Sequence, residues 1–217
     1  IEEARRFYFS LMGKYGDQVQ VLLNKITKLD IRIICPIHGT VLKDDLSSII
    51  KKYQIWSNYQ PEEEGIFIAY TSVYGNIKQV VDDLSESLKK EGAPKVVIKD
   101  LSQTDISYAI SEAFKYSQLV LATSNVNSEV FPIIRNFILY LKDRDFKFRR
   151  IGFIEQSSFG TQGINIMKEM FKDSKVLFLE NSVQIQNFIS EENRQELENM
   201  SKELTKEYKE KGEVAEM

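Results

Sequence analysis

GIFIAYTSVYGNIKQVV, residues Gly65 to Val81, begins as an apolar run from Ile66 to Tyr70 and stops at Thr71 and Ser72. It turns at Tyr74-Gly75-Asn76 and resumes at helical spacing with Ile77, Val80, Val81 and Leu84. The pattern is a buried parallel strand feeding a tight loop that opens a helix. Backbone N–H groups at a helix start have no internal partner and sit at the positive end of the helix dipole. Hydroxyls of Thr71 and Ser72 and the amide of Asn76 add donors, so the loop Thr71-Ser72-Val73-Tyr74-Gly75-Asn76-Ile77 is suited to hold a phosphate. The plainer reading of the same residues is an ordinary capped strand-to-helix turn.

Downstream of this stretch the chain alternates strand and helix to its end. Strands are expected at Ile66–Tyr70, Val96–Leu101, Leu119–Thr123, Ile151–Glu155 and Val176–Leu179. Helices are expected at about Ile77–Glu91, Ile106–Tyr116, Phe131–Arg144, Ile164–Phe171 and Glu191–Lys211. Five short apolar strands with helical crossovers imply an α/β fold, a five-stranded parallel sheet with helices on both faces. Ligands of such sheets bind at the carboxyl ends of the strands, near the switch in strand order. The loops after the first, third and fourth strands should therefore converge.

Upstream, Ile1 to Leu29 reads as helix with a break at Gly13–Gly16, and Val19, Leu22, Leu23, Ile26 and Leu29 fall on one face. Ile31 to Cys35 reads as a short strand followed by the loop Pro36-Ile37-His38-Gly39. A helix runs from Asp44 toward Trp56. The polar, acidic stretch Ser57–Glu64 around Pro61 reads as a linker, dividing the chain into residues 1–60 and 61–217. The first residue is Ile1, not methionine, so the chain is read as part of a longer protein whose opening segment is not a self-sufficient fold.

The 217 residues are 42% hydrophobic and 28% charged, enough apolar content for a real core. A net charge of −3 implies no broad nucleic-acid or anionic-membrane surface, and no apolar run approaches a membrane span. A single cysteine, Cys35, excludes an internal disulfide framework and suits a reducing cytoplasm.

The second loop, Thr123-Ser124-Asn125-Val126-Asn127-Ser128-Glu129, is rich in short polar side chains, and Pro132 starts the helix after it. Thr123, Ser124, Asn125 and Asn127 can offer hydrogen bonds to the edge of a polar heterocycle. The third loop, Glu155-Gln156-Ser157-Ser158-Phe159-Gly160, adds the Ser157 hydroxyl and an aromatic, Phe159, able to lie on a ring face. A phosphate cradle and two ring-edge loops on one sheet edge amount to a site for flavin mononucleotide (FMN).

Taken with Cys35-Pro36-Ile37-His38-Gly39, Tyr53 to Trp56, Tyr74-Gly75-Asn76, Asn127, Phe131-Pro132 and Glu155 to Phe159, nearly the whole chain resembles the C-terminal part of the A-type flavoproteins, or flavodiiron proteins. The resemblance implies the end of a metallo-β-lactamase-like diiron domain over residues 1–60. A flavodoxin-like FMN domain of strand order 2-1-3-4-5 would follow over residues 61–217. It further implies an FMN-to-diiron electron path reducing dioxygen to water or nitric oxide to nitrous oxide. The implied partners are a second copy in a head-to-tail homodimer and an external electron donor such as a rubredoxin or a flavin/NAD(P)H reductase. Three departures stand out: Ile77 where the family has threonine, Val126 and Glu129 within a run that is usually Thr-Tyr-Asn-Asn-Gly, and Phe159 for tryptophan. They support a rival reading, a flavodoxin-like module that has lost tight flavin binding and serves in assembly or interaction.

The resemblance makes His38, the only histidine, a metal ligand of a diiron site whose other ligands lie upstream. Within this chain it is expected to be a hydrogen-bonded structural residue, and Cys35 a buried strand residue. With one histidine there is no Ser/Cys–His–acid pattern and hydrolase chemistry is disfavoured. The chain as given should carry well under one tightly bound iron per molecule. Elemental analysis finding two irons would contradict this.

Overall fold

The computed structural model describes residues 1 to 215 except 159 and 161, with side chains described through residue 210. Its elements in chain order are α1 (Glu2–Leu11), a 3-10 turn (Gly13–Tyr15), α2 (Gly16–Ile26), α3 (Leu46–Ser57), β1 (Glu63–Tyr70) and α4 (Asn76–Lys90). Next come β2 (Val96–Asp100), α5 (Ile106–Lys115), β3 (Tyr116–Val126), β4 (Glu129–Val130), α6 (Pro132–Lys142) and β5 (Arg150–Ser157). The chain closes with α7 (Gly163–Met170), β6 (Leu177–Phe178), β7 (Val183–Gln186) and α8 (Glu191–Ala215).

The sheet runs β2-β1-β3-β5-β6, with β7 also paired to β5 and β4 to β3. Every pairing is parallel except β3 with β4. The expected order is therefore present, but seven strands replace five. The fifth position is shared: β6 pairs with Arg150–Ile151 and β7 with Ile154–Ser157. Between them Glu180 and Asn181 turn away, because the Glu203 carboxylate on α8 accepts from both backbone N–H groups, at 2.9 and 3.0 Å. The other addition is a hairpin. Asn127 and Ser128, at φ 54° and 60°, form a two-residue turn that folds β4 back on β3, the left-handed pair that matches strand twist.

Helices cover both faces. On one, Ile77, Val80, Val81, Leu84 and Leu88 of α4 and Leu197, Met200 and Leu204 of α8 are buried against Ile66, Ile68, Val120 and Ile154. The other face carries α5, α6 and α7 and, in the same core cluster, Tyr8 and Phe9 of α1, Val19 and Leu23 of α2 and Trp56 of α3. Phe9 stacks on Phe114 at 3.9 Å between ring centroids.

Ser57–Glu64 is not a loose linker. Trp56, Ser57 and Tyr59 are buried, and the Glu62 carboxylate is 1% exposed between Arg5 at 3.0 Å and Lys52 at 2.9 Å. Trp56 Nε1–H donates to it at 2.6 Å. Burial pushes the Glu62 carboxyl up, but the Lys52, Arg5 and Trp56 contacts outweigh it and hold it below the ordinary carboxylate range. Arg149, buried and just ahead of β5, donates to the carbonyls of Tyr59, Phe114 and Tyr116 at 2.6, 2.6 and 2.8 Å. Burial pushes its guanidinium down to about 9, which still leaves it charged at neutral pH.

The segment between α2 and α3 also departs from expectation. Ile31–Cys35 is not a strand; its only pairing is a bridge from Ile34 to Leu42. Cys35 is exposed rather than buried, and Leu22 and Leu29 lie outside the packed face of α2. Limited digestion with a protease of broad specificity such as proteinase K should therefore cut first in the exposed stretch around Arg32–Lys43, leaving Ser57–Glu64 intact. First cleavage within Ser57–Glu64 would contradict the packing described.

Candidate functional site

The loops after β1, β3 and β5 lie side by side because those strands are neighbours in the sheet. The first leaves the sheet at Thr71, whose N–H still donates to Ala122 O at 3.0 Å. Gly75 then takes φ 88°, the left-handed conformation that glycine adopts at no steric cost, and caps α4. The first intrahelical bond is Gln79 N–H to Gly75 O. Lys78 N–H is taken by Ser72 Oγ at 3.3 Å. The N–H groups of Asn76 and Ile77 have no partner among the described residues, and both sit at the positive end of a 15-residue helix. Two free N–H groups, the Ser72 hydroxyl proton and the Asn76 amide make a donor set that suits a phosphate.

The structure divides the residues expected in this cradle. Val73 and Tyr74 are exposed, Tyr74 to 91%, and Asn76 and Ser72 are half-buried. Thr71 is turned inward: its Oγ1 lies 3.3 Å from Thr123 Oγ1, which in turn donates to Ser124 O at 3.0 Å. Its hydroxyl closes the core instead of facing the loop. Ile77 contributes its backbone N–H, but its side chain is fully buried with Val80, Val81 and Leu84. A threonine at this position, as in the family that the chain resembles, would place its hydroxyl in that core and not in the loop.

On the second loop Thr123 is buried and Ser124 half-buried, while Asn127 is exposed in the hairpin turn. Asn125 donates from Nδ2 to Glu155 at 2.7 Å. Its Oδ1 is buried without a donor among the described residues, an acceptor suited to an N–H on the edge of a heterocycle. On the third loop Ser157 is buried, and Phe159 lies outside the described residues.

Two polar residues that were not among the expected binding residues, Glu155 and Gln184, complete this edge. Thr123 pairs in register with Glu155, and Glu155 with Gln184. With Thr71 beside Thr123, a row of four polar side chains crosses β1, β3, β5 and β7 where the apolar core ends. The available signal was the alternation Ile151, Phe153, Glu155, which puts a carboxylate at an inward position of a buried strand.

His38 is exposed and makes no hydrogen bond among the described residues. Its ring lies 5.2 Å from that of Phe7 on α1. The structural, hydrogen-bonded histidine expected there is not found. Among the described residues no three His, Cys, Asp or Glu side chains are grouped to hold a metal ion, so the residues of this chain do not by themselves fit a diiron centre. No helix is long and apolar enough to cross a membrane among those residues.

No family model matches the chain. Among curated proteins it is 24% identical over 140 residues to an uncharacterized protein of Methanocaldococcus jannaschii, covering 64% of this chain and 35% of that protein. It is 24% identical over 167 residues to the anaerobic nitric oxide reductase flavorubredoxin of Klebsiella pneumoniae, covering 75% and 33%. The chain thus spans about a third of the length of these relatives. Among solved structures, the rubredoxin oxygen:oxidoreductase of the anaerobe Desulfovibrio gigas superposes with a TM-score of 0.86 at 18% identity, covering 95% of this chain and 52% of that one. The flavodiiron protein of Giardia intestinalis gives 0.85 at 16% identity, covering 93% and 50%. A flavodoxin of Streptococcus pneumoniae gives 0.57 at 17% identity, covering 67% of this chain and 99% of that one. The flavodoxin-like fold and the resemblance to flavodiiron proteins read from the motifs both hold.

Ser72 serves the loop twice, as acceptor for Lys78 N–H and as a donor to spare. Ser72→Ala should cost about 1 kcal/mol of stability through the lost cap and weaken an added phosphate ligand such as FMN roughly tenfold. Ile77→Thr should lower thermal stability by about 1 kcal/mol, trading buried methyl groups for a hydroxyl, and leave FMN affinity within about threefold. Melting curves with and without FMN check both. Tighter binding by Ile77→Thr would show that its side chain does reach the ligand.

Proposed function

We propose that this chain, related to flavorubredoxins and superposable on half of a flavodiiron protein, is the FMN-holding, electron-relaying part of a flavodiiron-type oxidoreductase. The observation that carries the reading is the pair of unpartnered N–H groups at Asn76 and Ile77, set beside Ser72 at the start of α4. FMN, when bound, supplies reversible electron transfer between a reductant and a second redox centre.

Each residue then has a task. The backbone from Val73 to Ile77, the Ser72 hydroxyl and the Asn76 amide hold the phosphate. Thr71, turned in on Thr123, ends the strand beneath the loop and keeps it at a fixed height. Ser124, Asn125 and Asn127 would lie along the ring edge, where an N–H of the ring could meet Asn125 Oδ1, which is buried without a donor among the described residues. On the third loop Ser157 would lie beside the ring; Phe159, outside the described residues, keeps the ring-face role read from the sequence.

Residues 1–60 are read as the end of a metallo-β-lactamase-like unit, and 61–217 as the flavodoxin-like unit. Iron would be held by parts of the protein beyond these residues, with His38 as the one ligand from this segment. The reaction of the whole protein, dioxygen to water or nitric oxide to nitrous oxide, belongs to that assembly. So do the head-to-tail homodimer, the rubredoxin or flavin/NAD(P)H reductase donor, and the cytoplasm as its compartment. A module without tight flavin binding is the second reading, favoured by Val126, which removes an aromatic from the second loop, and by Glu129, a carboxylate where the family that the chain resembles has glycine.

Fluorescence titration of FMN into the purified chain separates the two. Saturable quenching at micromolar FMN or below, with a resolved shift in the flavin absorbance bands, is the expected result. Unquenched FMN at hundredfold higher protein concentration would favour the interaction module.

A further inference from the structure

Glu155 is fully buried, and among the described residues no lysine or arginine pairs with it. All its partners are donors. Oε2 accepts from Gly163 N–H at 2.6 Å, Ile164 N–H at 3.3 Å and Asn125 Nδ2 at 2.7 Å. Oε1 accepts from Gln184 Nε2 at 3.0 Å. A carboxyl group surrounded only by donors is in the state of an ionised acceptor. Two of those donors are the first N–H groups of α7, so the charge rests on the positive end of a helix dipole. Gly163 is what allows the approach: a Cβ there would collide with the Glu155 carboxylate and with Asn125 Oδ1.

The placement has two consequences. Glu155 bonds Asn125 on the second loop and the start of α7 at the end of the third, so one side chain sets the spacing of the two loops that flank the ring edge. It also fixes a negative charge on that edge, balanced by dipoles and not by a cation. Reducing a flavin adds negative charge to its ring, and a nearby buried carboxylate opposes that change more strongly than an exposed one would.

We propose that Glu155 is a positioning residue that fixes Asn125 toward the flavin edge and lowers the potential of the bound flavin. The inference rests on the FMN reading above and adds to it a residue that sets how readily the cofactor gives up its electrons. Glu155 is not a catalytic group; it acts through Asn125 and through its field.

The test compares FMN affinity in the oxidised and reduced states, and the midpoint potential by spectroelectrochemistry, in the wild-type chain and three variants. Glu155→Gln removes the charge. Gln184→Lys, at an exposed position, sets a cation beside Oε1 while leaving the carboxylate in place. Glu155→Asp keeps the charge and shortens its reach. Glu155→Gln should strengthen reduced-state binding relative to oxidised-state binding about tenfold, which raises a two-electron potential by ~30 mV. Gln184→Lys should move the potential in the same direction by a smaller amount. Glu155→Asp should leave it near the wild-type value even where affinity falls.

If Glu155→Gln does not fold by circular dichroism, Gln184→Lys decides the matter. Wild-type chain that binds FMN, with a potential that neither neutralising variant moves and affinities that fall equally in both states, would make Glu155 purely structural. Wild-type chain that takes up no FMN overturns the flavin reading and this inference together.

Discussion

A guanidinium group that pairs with no carboxylate among the described residues ties the opening segment of this chain to its sheet. Arg149 is buried, and its donors go to main-chain carbonyls at the end of α5, the start of β3 and the stretch after α3. Burying a cation costs several kcal/mol unless its donors are all met, and here the planar fork of arginine reaches two separate chain segments at once, Tyr59 and the α5–β3 junction. A lysine could not, since its single ammonium cannot span carbonyls on separate segments. Beside it Glu62 draws in Arg5, Lys52 and the Trp56 indole N–H. These two polar centres lock the first three helices onto the sheet, and the aromatic cluster of Tyr8, Phe9, Trp56 and Phe114 fills the space between.

The two ends of the sheet are therefore built on opposite principles. Where the strands begin, the Arg149 donors are used up on backbone acceptors, and Tyr8 Oη and Gln118 Oε1, left without a partner among the described residues, belong to side chains buried in the core. Where the strands end, donors and acceptors remain to spare: two N–H groups at the start of α4, the Ser72 hydroxyl proton and the buried Asn125 Oδ1. Unmet polar groups are costly in a folded chain. Unmet backbone N–H groups at the end where parallel sheets hold ligands give the site a physical reason to bind. The row Thr71, Thr123, Glu155 and Gln184 marks the boundary, with apolar core beneath it and ligand-facing loops above.

How much of this could be read from the sequence follows from the kind of interaction concerned. The strand-loop-helix at Gly65–Val81 was legible because its period changes from buried run to helical spacing within a few residues. Pro132 at a helix start and the amphipathic last helix were legible for the same local reason. Ser57–Glu64 misled because composition counts polar side chains without counting their partners; Glu62 is buried by its ion pairs, not in spite of its charge. Ile77 carried two signals, a threonine position of the family's loop and the first apolar position of the helix, and the structure puts its side chain in the core as the second requires. The Asn127–Ser128 turn had no glycine to announce it. The break between β6 and β7 depends on Glu203, more than 20 residues away in sequence.

The failed strand at Ile31–Cys35 has a different cause. A strand is a property of a sheet, and an apolar alternating run acquires one only when a neighbour offers a ladder. Here the sole neighbour is Leu42, bonded to Ile34 in both directions at 2.9 Å. Around that single bridge Ile33, Ile37 and Val41 stand exposed, Ile37 to 95%, in a chain whose other apolar runs are packed on both faces of a sheet. Exposed apolar side chains gathered in one short segment are the mark of a surface that other protein covers. The solved structures matched by 93 to 95% of this chain are about twice its length, so a longer protein of that kind has the material to supply a ladder and a cover. The motif around His38 is then consistent with both descriptions. It is an exposed loop resting on Phe7 in this chain, and in the flavodiiron reading it is one wall of a site whose other walls lie elsewhere.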